Sequence, residues 1–382
     1  MRGVVVGLLM CVLVVRCASS DDLERSTSAS SPAASTEKAV ISDTVEIADN
    51  VVVLSGDAAK NAIVEEESVT VPTDSVPKSL TAIAVGDYVV SGEGDGFLRQ
   101  VVGVDRSAGL RLRTIEARLA DIVINGSVHA TLALDPIVLD LSGQAVLGTE
   151  DLGVSVTPFI LSVTPSVDLT IEIRKNKVVT FATKVRLARS TSLGLSAVAQ
   201  APTRFETGDV TLWKSPKWRF VQTIGPVPIV EVLSVTVAAG LRGEISARAS
   251  TFVSGTCDRT QTYTLGFSDG RWAANQSGDV SCSGAAPTFN SAIGDLSLEA
   301  YLKGTLAVDF YGLAGPYVAI SDGLLAGVRT CPSPAAVSLD SPARLQIGAD
   351  LRKLGGPKYE TTPVAAAWPI GRWSIDSSSI CE

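Results

Sequence analysis

Apolar and polar side chains alternate with a period of two over stretches much longer than an ordinary strand. Leu296, Leu298, Ala300, Leu302, Leu306, Val308 and Phe310 share one side of an extended chain, opposite Ser297, Glu299, Lys303, Thr305 and Asp309. Val167, Leu169, Ile171 and Ile173 alternate with Asp168, Thr170 and Glu172. After a turn at Lys175-Asn176-Lys177, Phe181, Val185, Leu187, Leu193 and Leu195 oppose Lys184, Arg186, Ser190 and Ser192. Fifteen extended residues span about 50 Å, where a usual strand has about 5–6 residues. One apolar and one polar face, held this long, specify an antiparallel sheet with one side wet. No stretch has the helical period of a parallel crossover. The expected fold is all-β with minor α: long antiparallel sheets packed as an elongated sandwich over residues 125–382.

Residues 39–124 read as a small β-rich module. Val51-Val52-Val53-Leu54, Ile83 to Val90 and Phe97 to Val104 are short strand-type runs, separated by Ser55-Gly56-Asp57 and by Gly92, Gly94 and Gly96. One short helix is expected, capped by Thr114, with Ile115, Leu119 and Ile122 on one face.

The N-terminus sets the expected compartment. Arg2 precedes an uncharged run from Gly3 to Val15, too short to span a bilayer. Residues 1–18 read as a secretory signal peptide and 19–38 as a Ser/Thr/Ala-rich linker. Two fates fit Cys17. It resembles the lipidated cysteine of bacterial lipoproteins, with Val14 and Val15 matching and Arg16 departing; otherwise cleavage falls near Ser19 or Ser20. The expectation is an exported protein, periplasmic, extracellular or anchored in the outer membrane, touching the membrane only through a lipid on Cys17. An outer-membrane barrel would need two aromatic girdles, and 5 Trp, 6 Tyr and 9 Phe are too few for them.

In an oxidising compartment Cys257, Cys282, Cys331 and Cys381 are disulfide candidates. The expected bridges are Cys257–Cys282 and Cys331–Cys381. The first follows from a three-strand meander turning at Asp258-Arg259 and again at Ser268-Asp269-Gly270. The second follows by elimination.

Chemistry is sparse. A net charge of −8 without basic runs opposes nucleic-acid binding. The single histidine, His129, falls on the polar side of a strand, and no G-x-S-x-G elbow exists. It reads as dispensable. Gly92, Gly94 and Gly96 precede a strand rather than a helix, so they read as a turn, not a phosphate loop. Glu65-Glu66-Glu67, Glu150-Asp151, Asp135 and Asp140 read as loop carboxylates. No catalytic residue, metal site or cofactor is expected. Trp213 and Trp218 bracket Lys214-Ser215-Pro216-Lys217, and Trp368 and Trp373 bracket Pro369-Ile370-Gly371-Arg372. Each pair could stack a sugar ring or cap a sheet end. Trp272 reads as a cross-strand partner of Phe267 or Leu265.

Ala84-Val85-Gly86-Asp87-Tyr88-Val89-Val90-Ser91, Gly96-Phe97-Leu98-Arg99-Gln100-Val101 and Thr114 to Leu119 resemble a module of bacterial extracellular β-rich proteins. Ile115 and Arg118 stand where those proteins carry small residues. Gly225-Pro226-Val227-Pro228-Ile229-Val230, Gly270-Arg271-Trp272 and Tyr311-Gly312-Leu313-Ala314-Gly315-Pro316-Tyr317 are similar to their later region. The resemblance implies export and a β-rich body and supplies no catalytic residue. Three function classes follow: a non-catalytic structural or adhesive envelope protein, a binder or carrier of an apolar or carbohydrate ligand, and a secreted hydrolase. The partner would be an envelope protein, a glycan or a lipid.

Overall fold

A computed structural model describes residues 34–41, 45–107, 109–140, 146–148, 152–199, 201–246, 249–285, 288–292, 295–313, 315–329, 334–361 and 364–375. Strand makes up 73% of it and helix 7%, so the all-β reading holds. Cys17, Cys331, Cys381, Glu150 and Asp151 lie outside the described residues.

Eleven strands build the body: β1 (Ala34–Ile41), β2 (Val123–Leu134), β3 (Leu152–Arg174), β4 (Lys177–Ala199), β5 (Val227–Ile245), β6 (Ala249–Ser268), β7 (Arg271–Gly284), β8 (Leu296–Phe310), β9 (Pro316–Arg329), β10 (Ala335–Asp350) and β11 (Val364–Ile375). The first sheet runs β1-β2-β3-β4-β6-β7 and the second runs β5-β8-β9-β10-β11, all antiparallel. Three short strands, Thr203–Glu206, Val210–Lys214 and Trp218–Ile224, line up along β5. β3 and β4 have 23 residues each. Lys175 (φ 48°) and Asn176 (φ 59°) join them in the left-handed turn whose twist suits a two-residue hairpin.

The apolar faces of the two sheets meet in one core that includes Leu169, Ile171, Phe181, Leu233, Leu298 and Leu339. On one flank β7 approaches β11; on the other Trp218–Ile224 approaches β1 and β2. Trp272 joins the sheets at one flank. Its ring packs against Phe267 at 5.1 Å and stacks on Tyr359 at 4.9 Å.

The small module is drawn more tightly than residues 39–124. Its own sheet runs from Val51–Leu54 to Leu110–Glu116 and contains one parallel pair, Val51–Leu54 with Tyr88–Ser91. β1 and Glu46–Ile47 pair instead with β2, so the last part of the segment read as linker forms body strand. The helix expected from Thr114 is corrected. Thr114 is buried in strand Leu110–Glu116, in phase with Leu110 and Leu112, and only Leu119–Ile122 is helical. Arg118 is its N-cap, and its backbone N–H donates to Asp121 at 2.8 Å. Gly96 (φ 73°) ends the turn before Phe97 and seats the module on the body: a Cβ there would lie 2.5 Å from Val230 Cγ2.

Cys257 and Cys282 are bonded, with Cα atoms 4.2 Å apart. The route to that pair differs from the expected meander. β6 runs unbroken through Asp258 and Arg259, and the two cysteines are direct partners on the β6–β7 hairpin, which turns at Asp269-Gly270. Asp258-Arg259 does not turn because Arg259 has a buried partner in the opposite sheet.

Candidate functional site

Side chains alternate along a strand, so register fixes which residues stand in rows across a sheet. On the outer face of the first sheet one row reads His129, Thr170, Ala182, Gly266, Ala273. The next reads Thr131, Asp168, Lys184, Thr264, Asn275. Three successive small residues leave a furrow of about 430 Å³. Its accessible lining is mostly apolar, with polar side chains around it. His129 Nδ1 is hydrogen-bonded to Thr170 Oγ1 at 2.8 Å. Thr131 donates to Asp168 at 3.0 Å, and Arg186 pairs with the same carboxylate at 2.8 Å. The furrow offers an ammonium, a carboxylate, hydroxyls and an amide on a rigid floor. A nucleophile would also need a group orienting the second histidine nitrogen. No such contact to His129 is recorded among the described residues.

A second cluster lies between the sheets. Arg189 falls in phase with Leu187 and Leu193, so the pleat turns it inward. Arg259 and Gln261 share a side with Cys257 and Tyr263 for the same reason. Arg189 and Arg259 are direct cross-strand partners, an arrangement of like charges that is unfavourable alone. Asp322 from β9 pairs with both guanidiniums. Arg189 Nη2 donates to Gln261 Oε1 at 2.6 Å, and Tyr263 OH donates to the same oxygen. Arg259 Nη2 donates to Ser341 Oγ at 2.6 Å, and its guanidinium lies over Trp368, 4.6 Å from the ring centroid. Burial, then the charge of Arg189, pulls Arg259 down to about 10. Burial likewise lowers Arg189 and raises Tyr263. The Nε atoms of both arginines have no hydrogen-bond partner among the described residues. Beside Arg189 and Asp322 is a cavity of about 50 Å³, lined also by Thr191 and Thr305 and by apolar groups such as Leu161, Leu187, Val237 and Leu302.

A third polar group, Glu231, is fully buried on β5. Gln222 Nε2 donates to it at 3.0 Å, and desolvation raises its pKa to about 7.

The four tryptophans go to different places. Trp218 is only 8% exposed and belongs to the core, which corrects its reading as a stacking surface. Trp368 has a face taken by Arg259. Trp213 and Trp373 are half-buried against the core. Glu65 accepts from Ser68 at 2.8 Å and lies 3.7 Å from Arg111 in an exposed turn. Among the described residues no group of three or more His, Cys, Asp or Glu could hold a metal ion, and no helix is long and apolar enough to cross a membrane. The signal that finds the buried cluster is the phase of the alternation: Arg189, Arg259 and Asp322 are charged residues at apolar positions.

Comparison with protein-family models, curated proteins and solved structures returns no match to this chain.

Proposed function

We propose that the protein is an exported cell-envelope component with a structural or adhesive, non-catalytic role. The observation that supports this most is the filled interior of the sandwich. Strands of up to 23 residues close on one continuous core, and among the described residues the cavity beside Arg189 between them is about 50 Å³. A carrier of a lipid or sugar would need several hundred Å³ there. The chain is invested in a stiff body whose long axis approaches about 70 Å at 3.3 Å per residue. Such a body holds a surface away from its attachment point.

The adhesive surface in this reading is the furrow on the first sheet. Its polar side chains around a small, largely apolar floor suit a glycan, whose rings present apolar faces between hydroxyls, or a protein surface of mixed polarity, which keeps carbohydrate binding as the second reading. Two measurements test these proposals. Mass spectrometry of the mature N-terminus should find Cys17 lipidated or removed; an intact Met1 in the soluble cell fraction would end the envelope reading. Purified protein should bind cell-wall glycans or whole cells, and Lys184→Glu should weaken that binding at least tenfold with the fold unchanged. Equal binding by the variant would remove the furrow from the proposal.

A further inference from the structure

We propose that the inter-sheet cavity at Arg189 binds one small monovalent anion, of chloride or acetate size, which completes the charge of the Arg189–Arg259–Asp322 cluster. This site is separate from the outer furrow and does not depend on it.

Charge comes first. Among the described residues the cluster holds two guanidiniums and one carboxylate, with side chains 6%, 1% and 10% exposed. One positive charge therefore lacks a partner in a medium where unpaired charge is costly. The neighbours cannot supply the missing anion. Tyr263 is held neutral by burial and donates its proton to Gln261. Gln261 and Ser341 bring dipoles, not charge.

Donors come second. A guanidinium has five N–H groups and no acceptor. Asp322, Gln261 and Ser341 engage the terminal nitrogens, while Nε–H of Arg189 and of Arg259 stays without an acceptor. Arg189 also lines the cavity.

Room comes third. About 50 Å³ exceeds what one water needs, roughly 10–15 Å³, and is too small for a sugar or an acyl chain. The space exists because β8 carries Gly304 on its inward side. A Cβ built there meets no atom within 4 Å. Any side chain of modest size would fill it. A monovalent ion balances the count, whereas sulfate or phosphate would overshoot it and is bulkier.

The test is thermal unfolding of the full protein in sodium chloride, sodium acetate and sodium gluconate at equal ionic strength. Gluconate has the same charge but exceeds the cavity. Chloride or acetate should raise Tm over gluconate in a saturable way, by roughly 3 °C at a hundredfold excess over Kd. Whichever salt acts identifies the natural ion as inorganic or as a carboxylate. Gly304→Val fills the cavity and keeps both arginines; its Tm should be the same in all three salts. Arg189→Met leaves a one-to-one ion pair and should also lose the salt difference. A bromide-soaked crystal should show an anomalous peak beside Arg189. Equal Tm values for the unmodified protein in the three salts would overturn the proposal, as would a Gly304→Val protein that keeps the full difference.

Discussion

Asp322 is the residue on which the interior depends most. Removing its charge leaves two guanidiniums facing each other across adjacent strands. Asp322→Asn should lower stability by about 3–5 kcal/mol, measured by urea unfolding. Replacing both arginines by Met in the Asp322→Asn background should recover much of the loss, because charge and partners leave together. Glu231 makes a separate prediction. Its pKa is raised from 4.5 to about 7, so the folded chain holds the proton more tightly than the unfolded chain does. Its effect on stability is therefore absent below pH 4.5, grows as the pH rises towards 7, and is a constant penalty above that. Glu231→Gln should stabilise the protein at pH 8 by up to roughly 3 kcal/mol and leave it unchanged at pH 4. The amide can return a hydrogen bond to Gln222 Oε1, which has no partner among the described residues. A stability difference that does not vary between pH 4 and 8 would refute the assignment. Both groups could be seen in the sequence as charges in the apolar phase. The partners of Asp322 could not, since Asp322 and Arg189 are 133 positions apart and nothing local links them, whereas Gln222 reaches Glu231 across a local hairpin.

The elements read best where the pattern is long. Among the described side chains, the polar and apolar sides of β3 from residue 160, of β4 and of β8 stand as the alternation specifies, because a slip of one residue would bury a whole charged row. The hairpin at Lys175-Asn176 is equally local and equally legible. Short elements fail for the opposite reason. Thr114 has the chemistry of a helix cap, but its branched side chain also suits a strand, and pairing with Val101 decides in favour of the strand. Trp218 goes to the core for a reason the sequence does not carry, because bracketing a proline says nothing about which sheet edge packs over it. The cysteine pair shows a correct partner reached by an incorrect path: any hairpin centred on Asp269-Gly270 sets Cys257 opposite Cys282. Its loss is predictable. Changing both cysteines to Ala should cost about 3–4 kcal/mol by the loop-closure relation for a separation of 25 residues. Non-reducing peptide mapping should recover the 257–282 cross-link.

At the scale of the molecule, the module and the body are joined through a contact with no spare volume. Gly96→Ala adds a methyl against Val230 at a left-handed position and should cost about 1–3 kcal/mol. Limited proteolysis should then cut first within residues 51–116 while the long strands persist. Unchanged digestion kinetics would show that the module is not seated through Gly96. The two body sheets, by contrast, should melt together. The chain lays down β2, β3 and β4 in the first sheet, crosses to the second for β5, returns for β6 and β7, and crosses again for β8 to β11. Neither sheet is a continuous run of sequence.

That weaving governs how the protein can be made. When β4 is complete, the strand that will cover its far side is still 50 residues away, and the facing sheet has yet to begin, at β5, with most of its strands later than β6. A chain emerging in order thus presents a bare 23-residue edge next to a bare greasy sheet for much of its synthesis. Contacts between such distant segments form slowly, and waiting chains join one another in the meantime. Yield will be set by whatever shields β4 until residues 249–268 arrive, so co-expressed holding chaperones should raise recovery more than any change that strengthens the finished fold.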